Sequence, residues 1–215
     1  MTLRALYGPG WSPSGDSPVA VLLHGYGSHE RDLPGLARWL PPTLPWASLR
    51  APLETGYGGA AWFPLSPDGG MDAASITAAT RAVWAWVDDA VGTDAPIVPV
   101  GFSQGGMMAL QLLRTRPERV LAPVVLAGFV PDHAQPADED LARLRPPVFW
   151  GRGDADPVIW PEAIARTRAF LDGHATVTAR IYPGMGHTIT EEEIADVRDF
   201  LDAHLPRTVA GTQPN

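Results

Sequence analysis

Ser103 stands in Gly101-Phe102-Ser103-Gln104-Gly105, a G-x-S-x-G spacing that follows an apolar run and opens a helical one. A serine hydroxyl is a weak nucleophile near neutral pH. It becomes reactive when a base takes its proton and a third group holds that base. The glycine spacing suits such a serine for a steric reason. A strand that turns at once into a helix strains the backbone at the serine, so the residues two positions either way must be small. Glycine fills both places, and Gly106 lets the following helix pack closely. The same turn puts the Gln104 backbone N–H at the positive end of the helix, where a developing oxyanion would be stabilised.

The base should follow later in the chain, after the acid that orients it. His133, His174, His187 and His204 all come after Ser103. His187 lies in GMGHTIT, between a strand candidate and the last helix candidate, where the loop would leave the carboxyl end of a strand. His204 falls inside that last helix, His174 precedes a strand, and His133 sits in a polar stretch, PDHAQPADED, that reads as solvated. For the acid, VFWGRGDADPV runs a strand into a turn, and Asp154 and Asp156 both qualify. A turn aspartate commonly bonds its own backbone. One of the two is expected to do so and the other to orient His187, with Asp156 preferred for the second task.

The remaining oxyanion donor is expected from the loop after an early strand. In VLLHGYGSHERDL the candidate is the Tyr26 N–H, with Gly25 and Gly27 allowing close backbone approach and His24 bracing the loop. Trp62, Phe63, Phe129 and Trp160 are the candidate walls of an apolar pocket. Met107 and Met108, on the nucleophile's helix, read as core.

These residues need a scaffold of alternating strands and helices. Leu3–Tyr7, Val19–Leu23, Trp46–Ala51, Ile97–Phe102, Val120–Ala127, Pro147–Gly151 and Val177–Tyr182 are strand candidates. Helices are expected over Glu30–Leu40, with Ser28 as N-cap, and over Ala73–Val91, Gln104–Arg114, Pro161–Leu171 and Glu191–Leu205. Residues 52–72 read as one long loop. The alternation predicts an α/β fold with a mostly parallel sheet covered on both faces, in one domain over 1–215 with a frayed tail from about 206.

Composition narrows the chemistry. The 16 basic residues are all arginine, which excludes a Schiff-base lysine, a P-loop lysine and a Ser-Lys dyad; the absence of cysteine excludes thiol catalysis, disulfides and thiolate metal sites. A net charge of −8 argues against an extended nucleic-acid contact. No run of about 18 apolar residues predicts a membrane span, and the N-terminus lacks the apolar core of a signal peptide. A cytoplasmic protein is the expectation. No histidines or acids fall at metal-ligand spacing, so no metal site is expected.

LHGYGSHERDL, AWF at 61–63, VGFSQGGMMAL, GRGDADPV and GMGHTI together resemble the phospholipase/carboxylesterase family of α/β hydrolases, over about residues 19–203. The resemblance implies an α/β-hydrolase fold without a large cap domain. It also implies a catalytic triad of Ser103, Asp156 and His187, backbone donors at Tyr26 and Gln104, and Trp62 on the acyl pocket. It implies no cofactor, and it leaves a homodimer open. His29 and Trp160 depart from the family pattern, the latter at the pocket mouth. The expected activity is hydrolysis of carboxylic esters with short-to-medium acyl chains. A thioesterase or lysophospholipase acting on long chains is the alternative within the class, and a non-catalytic binding module is the alternative outside it.

Overall fold

A computed structural model of the chain describes residues 3–13, 17–66 and 70–206. Val19–Leu23 (β2) follows Ala5–Tyr7 (β1), and every one of its apolar residues is buried, as a strand covered on both faces requires. Trp46–Leu49 (β3), Ile97–Phe102 (β6), Val124–Leu126 (β7), Pro147–Gly153 (β8) and Thr176–Tyr182 (β9) join them in a seven-stranded sheet of order β1-β3-β2-β6-β7-β8-β9. All neighbours pair parallel except the edge strand β1. This is the α/β architecture that the alternating pattern predicts.

Side chains on alternate positions feed two cores. Val21 and Leu23 of β2 pack with Ala73–Ala90 (α1), Gln104–Leu113 (α2) and Pro161–His174 (α4). Ala20 and Leu22 face the opposite side, with Leu33, Leu40 and Glu191–His204 (α5). Each fully buried aliphatic side chain contributes about 1.5–3 kcal/mol, so a one-residue slip of β2 would disrupt both cores at once. Among the described residues no helix is long and apolar enough to cross a membrane.

Four local expectations need correction. The helix expected over 30–40 is a 3₁₀ helix, Leu33–Trp39, because Pro34 starts the turn late. Ser28 does not cap it; its Oγ–H donates to Asp32 Oδ2 at 2.7 Å. The loop expected over 52–72 contains an antiparallel hairpin, Leu53–Gly56 (β4) with Gly59–Ala61 (β5). Its connecting residues Tyr57 and Gly58 both have positive φ (51° and 82°), as a tight hairpin demands. A tyrosine there is unusual, which is why TGYGG does not announce a hairpin. The strand expected over 120–127 is continuous only at Val124–Leu126, with an isolated bridge from Val120 to Ile97, since Ala122 adopts φ 41° just before Pro123.

The stretch 131–140 is loop only as far as Ala137, and its His133 is not fully solvated. Asp138–Leu144 forms a helix (α3) with Asp138, Glu139 and Asp140 in its first turn. Arg114, nearly buried at the end of α2, pairs with Asp138 at 2.7 Å and donates to the His133 carbonyl. His133 is half-buried, and its Nε2 has no partner. Burial and the nearby Arg114 push its pKa down, so it is neutral at pH 7. The tail from residue 207 onward lies outside the described residues.

Glu193 on α5 is fully buried against Gly151 of β8, where a Cβ at position 151 would collide with its carboxyl. Neither carboxyl oxygen has a hydrogen-bond partner. Burial pushes its pKa up from 4.5 to about 8. The folded state therefore holds a proton that the unfolded chain releases above pH 4.5, and stability falls as pH rises from about 4.5 to about 8. By linkage the loss is about 3 kcal/mol on reaching pH 7. Glu193→Gln is expected to remove this slope, and urea denaturation of both proteins between pH 5 and pH 8 measures it.

Candidate active site

Strand order reverses between β2 and β6, since the chain moves outward from β2 to β3 and then returns to add β6 on the other side. In such sheets a crevice opens at the carboxyl ends of the strands on either side of the reversal. Leu23 pairs with Gly101 there, so the loops after β2 and β6 emerge side by side.

Ser103 heads the turn into α2 with φ 55° and ψ −116°, a strained conformation for a residue with a side chain. Its N–H is held by the Leu126 carbonyl at 2.8 Å. A Cβ at Gly101 would land on the Gly105 carbonyl, and one at Gly105 on the Leu23 carbonyl. The two glycines are therefore required by close backbone approach.

β8 and β9 supply the partners. Their loops are joined where Asp154 Oδ1 accepts the Gly184 N–H at 2.6 Å and the Ala155 N–H reaches the Met185 carbonyl. This brings Asp156 against His187. The His187 Nδ1–H donates to Asp156 Oδ2 at 2.7 Å, and Ser103 Oγ lies 2.9 Å from His187 Nε2. A carboxylate can only accept, so Nδ1 carries the hydrogen and Nε2 is free to take the serine proton. Asp156 has a side chain only 2% exposed, and its other oxygen accepts the Val158 and Ile159 N–H groups. The ring of Phe102 packs 4.8 Å from the imidazole.

Gln104 N–H opens α2 beside Ser103, and Tyr26 follows β2 across the crevice. Among the described residues neither backbone N–H has an acceptor. The loop bearing Tyr26 is held from three sides. Gly27 N–H donates to the Ala60 carbonyl of β5, and Ala60 N–H to the Ser28 carbonyl. His24 is fully buried; its Nε2 accepts the Ala51 N–H and its Nδ1–H donates to the Gly25 carbonyl. Burial lowers its pKa, which keeps the ring neutral and structural. Arg50 ties Glu30 in the same loop to Glu54 and the Gly58 carbonyl of the hairpin.

Ser103 and His187 open onto a cavity of about 400 Å³ with walls including Tyr26, Phe63, Phe129, Ile159 and Trp160. Phe63, Phe129 and Trp160, three of the candidate pocket walls, line it. Trp62 does not line the cavity. It is 1% exposed, and its indole N–H donates to the His24 carbonyl at 2.9 Å, so it braces the loop from behind. Successive residues point opposite ways, and the Phe63 side of the chain faces the cavity.

The Gln104 side chain is a feature that motif reading misses. Its Oε1 accepts the Trp62 N–H and its Nε2–H donates to the Phe63 carbonyl, both at 2.8 Å. The x position of G-x-S-x-G thereby clamps the aromatic loop to the start of α2. Gln104→Leu keeps the residue's own backbone N–H. It is expected to cost about 1–3 kcal/mol of stability and to raise KM more than it lowers kcat, checked by urea denaturation and steady-state kinetics.

Residues 13–205 match the family described as Phospholipase/Carboxylesterase. An acyl-protein thioesterase 1 of Mycosarcoma maydis is 30% identical over 231 residues, covering 95% of this chain and 91% of that protein. A crystal structure of a carboxylesterase from Mesorhizobium loti is 28% identical, covers 93% of each chain and superposes with a TM-score of 0.74. A Bacillus cereus carboxylesterase, 23% identical with 94% of each chain covered, shares the fold at a TM-score of 0.79. A match over nearly the full length, on this fold, makes the chain a member of the phospholipase/carboxylesterase family of α/β hydrolases.

Proposed function

We propose that the protein is a serine carboxylesterase that hydrolyses esters of short-to-medium acyl chains through an acyl-enzyme. The observation that carries this reading is the unbroken chain from Asp156 through His187 to Ser103 Oγ at the mouth of an apolar cavity. In the reading, His187 takes the Ser103 proton as the oxygen attacks the ester carbonyl. The Tyr26 and Gln104 N–H groups receive the oxyanion, a contribution of about 2.7–4 kcal/mol per donor in the transition state. His187 then protonates the leaving alcohol, and water releases the acid by the same steps.

The cavity volume of about 400 Å³ lies at the small end of ligand sites, which run from about 300 to 1,000 Å³. This supports short-to-medium acyl chains lying along Phe63, Phe129 and Trp160. The partner is a small-molecule ester, and the cytoplasm is its proposed place of work. A homodimer is the assembly to test, by light scattering. A fluorophosphonate probe is expected to label Ser103 in the native protein and to fail on His187→Ala; absence of labelling in folded protein would reject the reading. A series of nitrophenyl esters then locates the chain length, and activity rising steadily through long chains would favour the thioesterase or lysophospholipase alternative.

A further inference from the structure

A second cavity, of about 280 Å³, adjoins the first and is the more polar of the two. Met71 and Trp160 belong to the walls of both, and among the described residues they alone are shared. Both are placed by helix starts. Met71 precedes Asp72, the N-cap of α1, and Trp160 precedes Pro161, the first residue of α4. The Trp160 ring stands edge-on to Phe129 at 5.0 Å and is 37% exposed, so with Met71 it stands where the two cavities meet.

Beyond this junction lie Asp132, His133 and Arg166. The Arg166 Nε–H donates to the Val130 carbonyl at 3.0 Å, which fixes the guanidinium, and among the described residues its two amino groups have no hydrogen-bond acceptor. Among the described residues no carboxylate pairs with this half-buried arginine. His133 is neutral and adds no charge. Asp132 is exposed, so water screens its charge more than that of Arg166.

From this arrangement we infer that the preferred substrate is a half-ester of a dicarboxylic acid: its acyl chain lies in the apolar cavity, passes Met71 and Trp160, and ends in a carboxylate received by Arg166. An uncharged chain of equal length would strip water from Arg166 and return nothing to it. A carboxylate restores a charge-assisted hydrogen bond. The inference rests on the esterase reading and extends it to a substrate class. Hydrolysis breaks the bond between the acyl carbon and the ester oxygen. The hydroxyl of water ends on the acyl carbon and its hydrogen on the alcohol, so the product is the free diacid.

The test compares nitrophenyl half-esters of succinate, glutarate, adipate and suberate with uncharged acyl esters of matched length. At one length the half-ester is expected to exceed its uncharged match in kcat/KM by about ten- to a hundredfold. Arg166→Met should abolish that preference through KM while leaving the uncharged ester within about twofold, and that second rate also reports that the variant is folded. Asp132→Asn, which removes the negative charge on the same cavity, should raise the preference severalfold. Uncharged esters preferred at every length, or an Arg166→Met variant that loses both substrates equally, would overturn the inference and leave the esterase reading intact. A fall in preference in Asp132→Asn would place the anion elsewhere and overturn it too. No hydrolysis of any ester by the folded wild type would reject both together.

Discussion

Replacing Ser103 with alanine is expected to lower kcat on an activated ester by about a millionfold. The substitution removes Oγ, the atom 2.9 Å from His187 Nε2, and little else. Alanine keeps the Cβ and therefore the strain at φ 55°, and the N–H of residue 103 still reaches the Leu126 carbonyl. Stability should thus change by no more than about 0.5 kcal/mol, which a denaturation curve checks beside the rate. His187→Ala is expected to fall to the same floor. The double variant should be no slower than either single one, because the serine and the base act as a unit. A double variant much slower than the singles would mean that each contributes separately, and the acyl-enzyme mechanism would have to be abandoned.

Asp156→Asn should lower kcat by about 10⁴-fold with the fold intact. The Asp156 carboxylate, 2% exposed, accepts the His187 Nδ1–H, and this bond sets the tautomer that leaves Nε2 free for Ser103. An amide in its place can turn its NH₂ toward Nδ1, which then becomes the acceptor and moves the hydrogen to Nε2, the wrong side. The remaining oxygen would still meet the Val158 and Ile159 N–H groups, so the loop should keep its shape. Asp154→Asn is the matched control. Its side chain accepts from Gly184 in an exposed turn, and its kcat should stay within about tenfold of wild type. Equal losses in the two variants would show that the aspartates act on loop structure, and that neither acts specifically on the histidine.

Each of these expectations joins a local pattern to a long-range contact, and the two differ in how far the sequence discloses them. The apolar runs of β2, β6 and β8 are legible because burial on both faces demands unbroken hydrophobicity. The periodicity of α1 and α5 is legible because one stripe must face the sheet. Helix α3 and the β4–β5 hairpin are not. The first is seven residues held by Arg114 from another helix, and the second turns on a tyrosine at positive φ. Neither carries enough local signal to compete with the polar and glycine-rich composition around it.

By itself the sequence determined the fold class and the order of the main sheet strands and of the long helices that flank them. It also determined the steric need for glycine around Ser103 and a short list of residues able to act with it, since these follow from local sterics, periodicity and chain order. Tertiary structure decided which of them meet. The parallel register of β8 and β9 puts Asp156, not Asp154, beside His187, and the Ser103–His187 contact spans 84 residues of chain. Tertiary structure also turned Trp62 away from the cavity, put the Gln104 side chain to use as a clamp, and buried Glu193 without a partner. The reason is physical: a side chain's surroundings depend on the packing of strands and helices distant in sequence, and no local pattern records which neighbour will arrive.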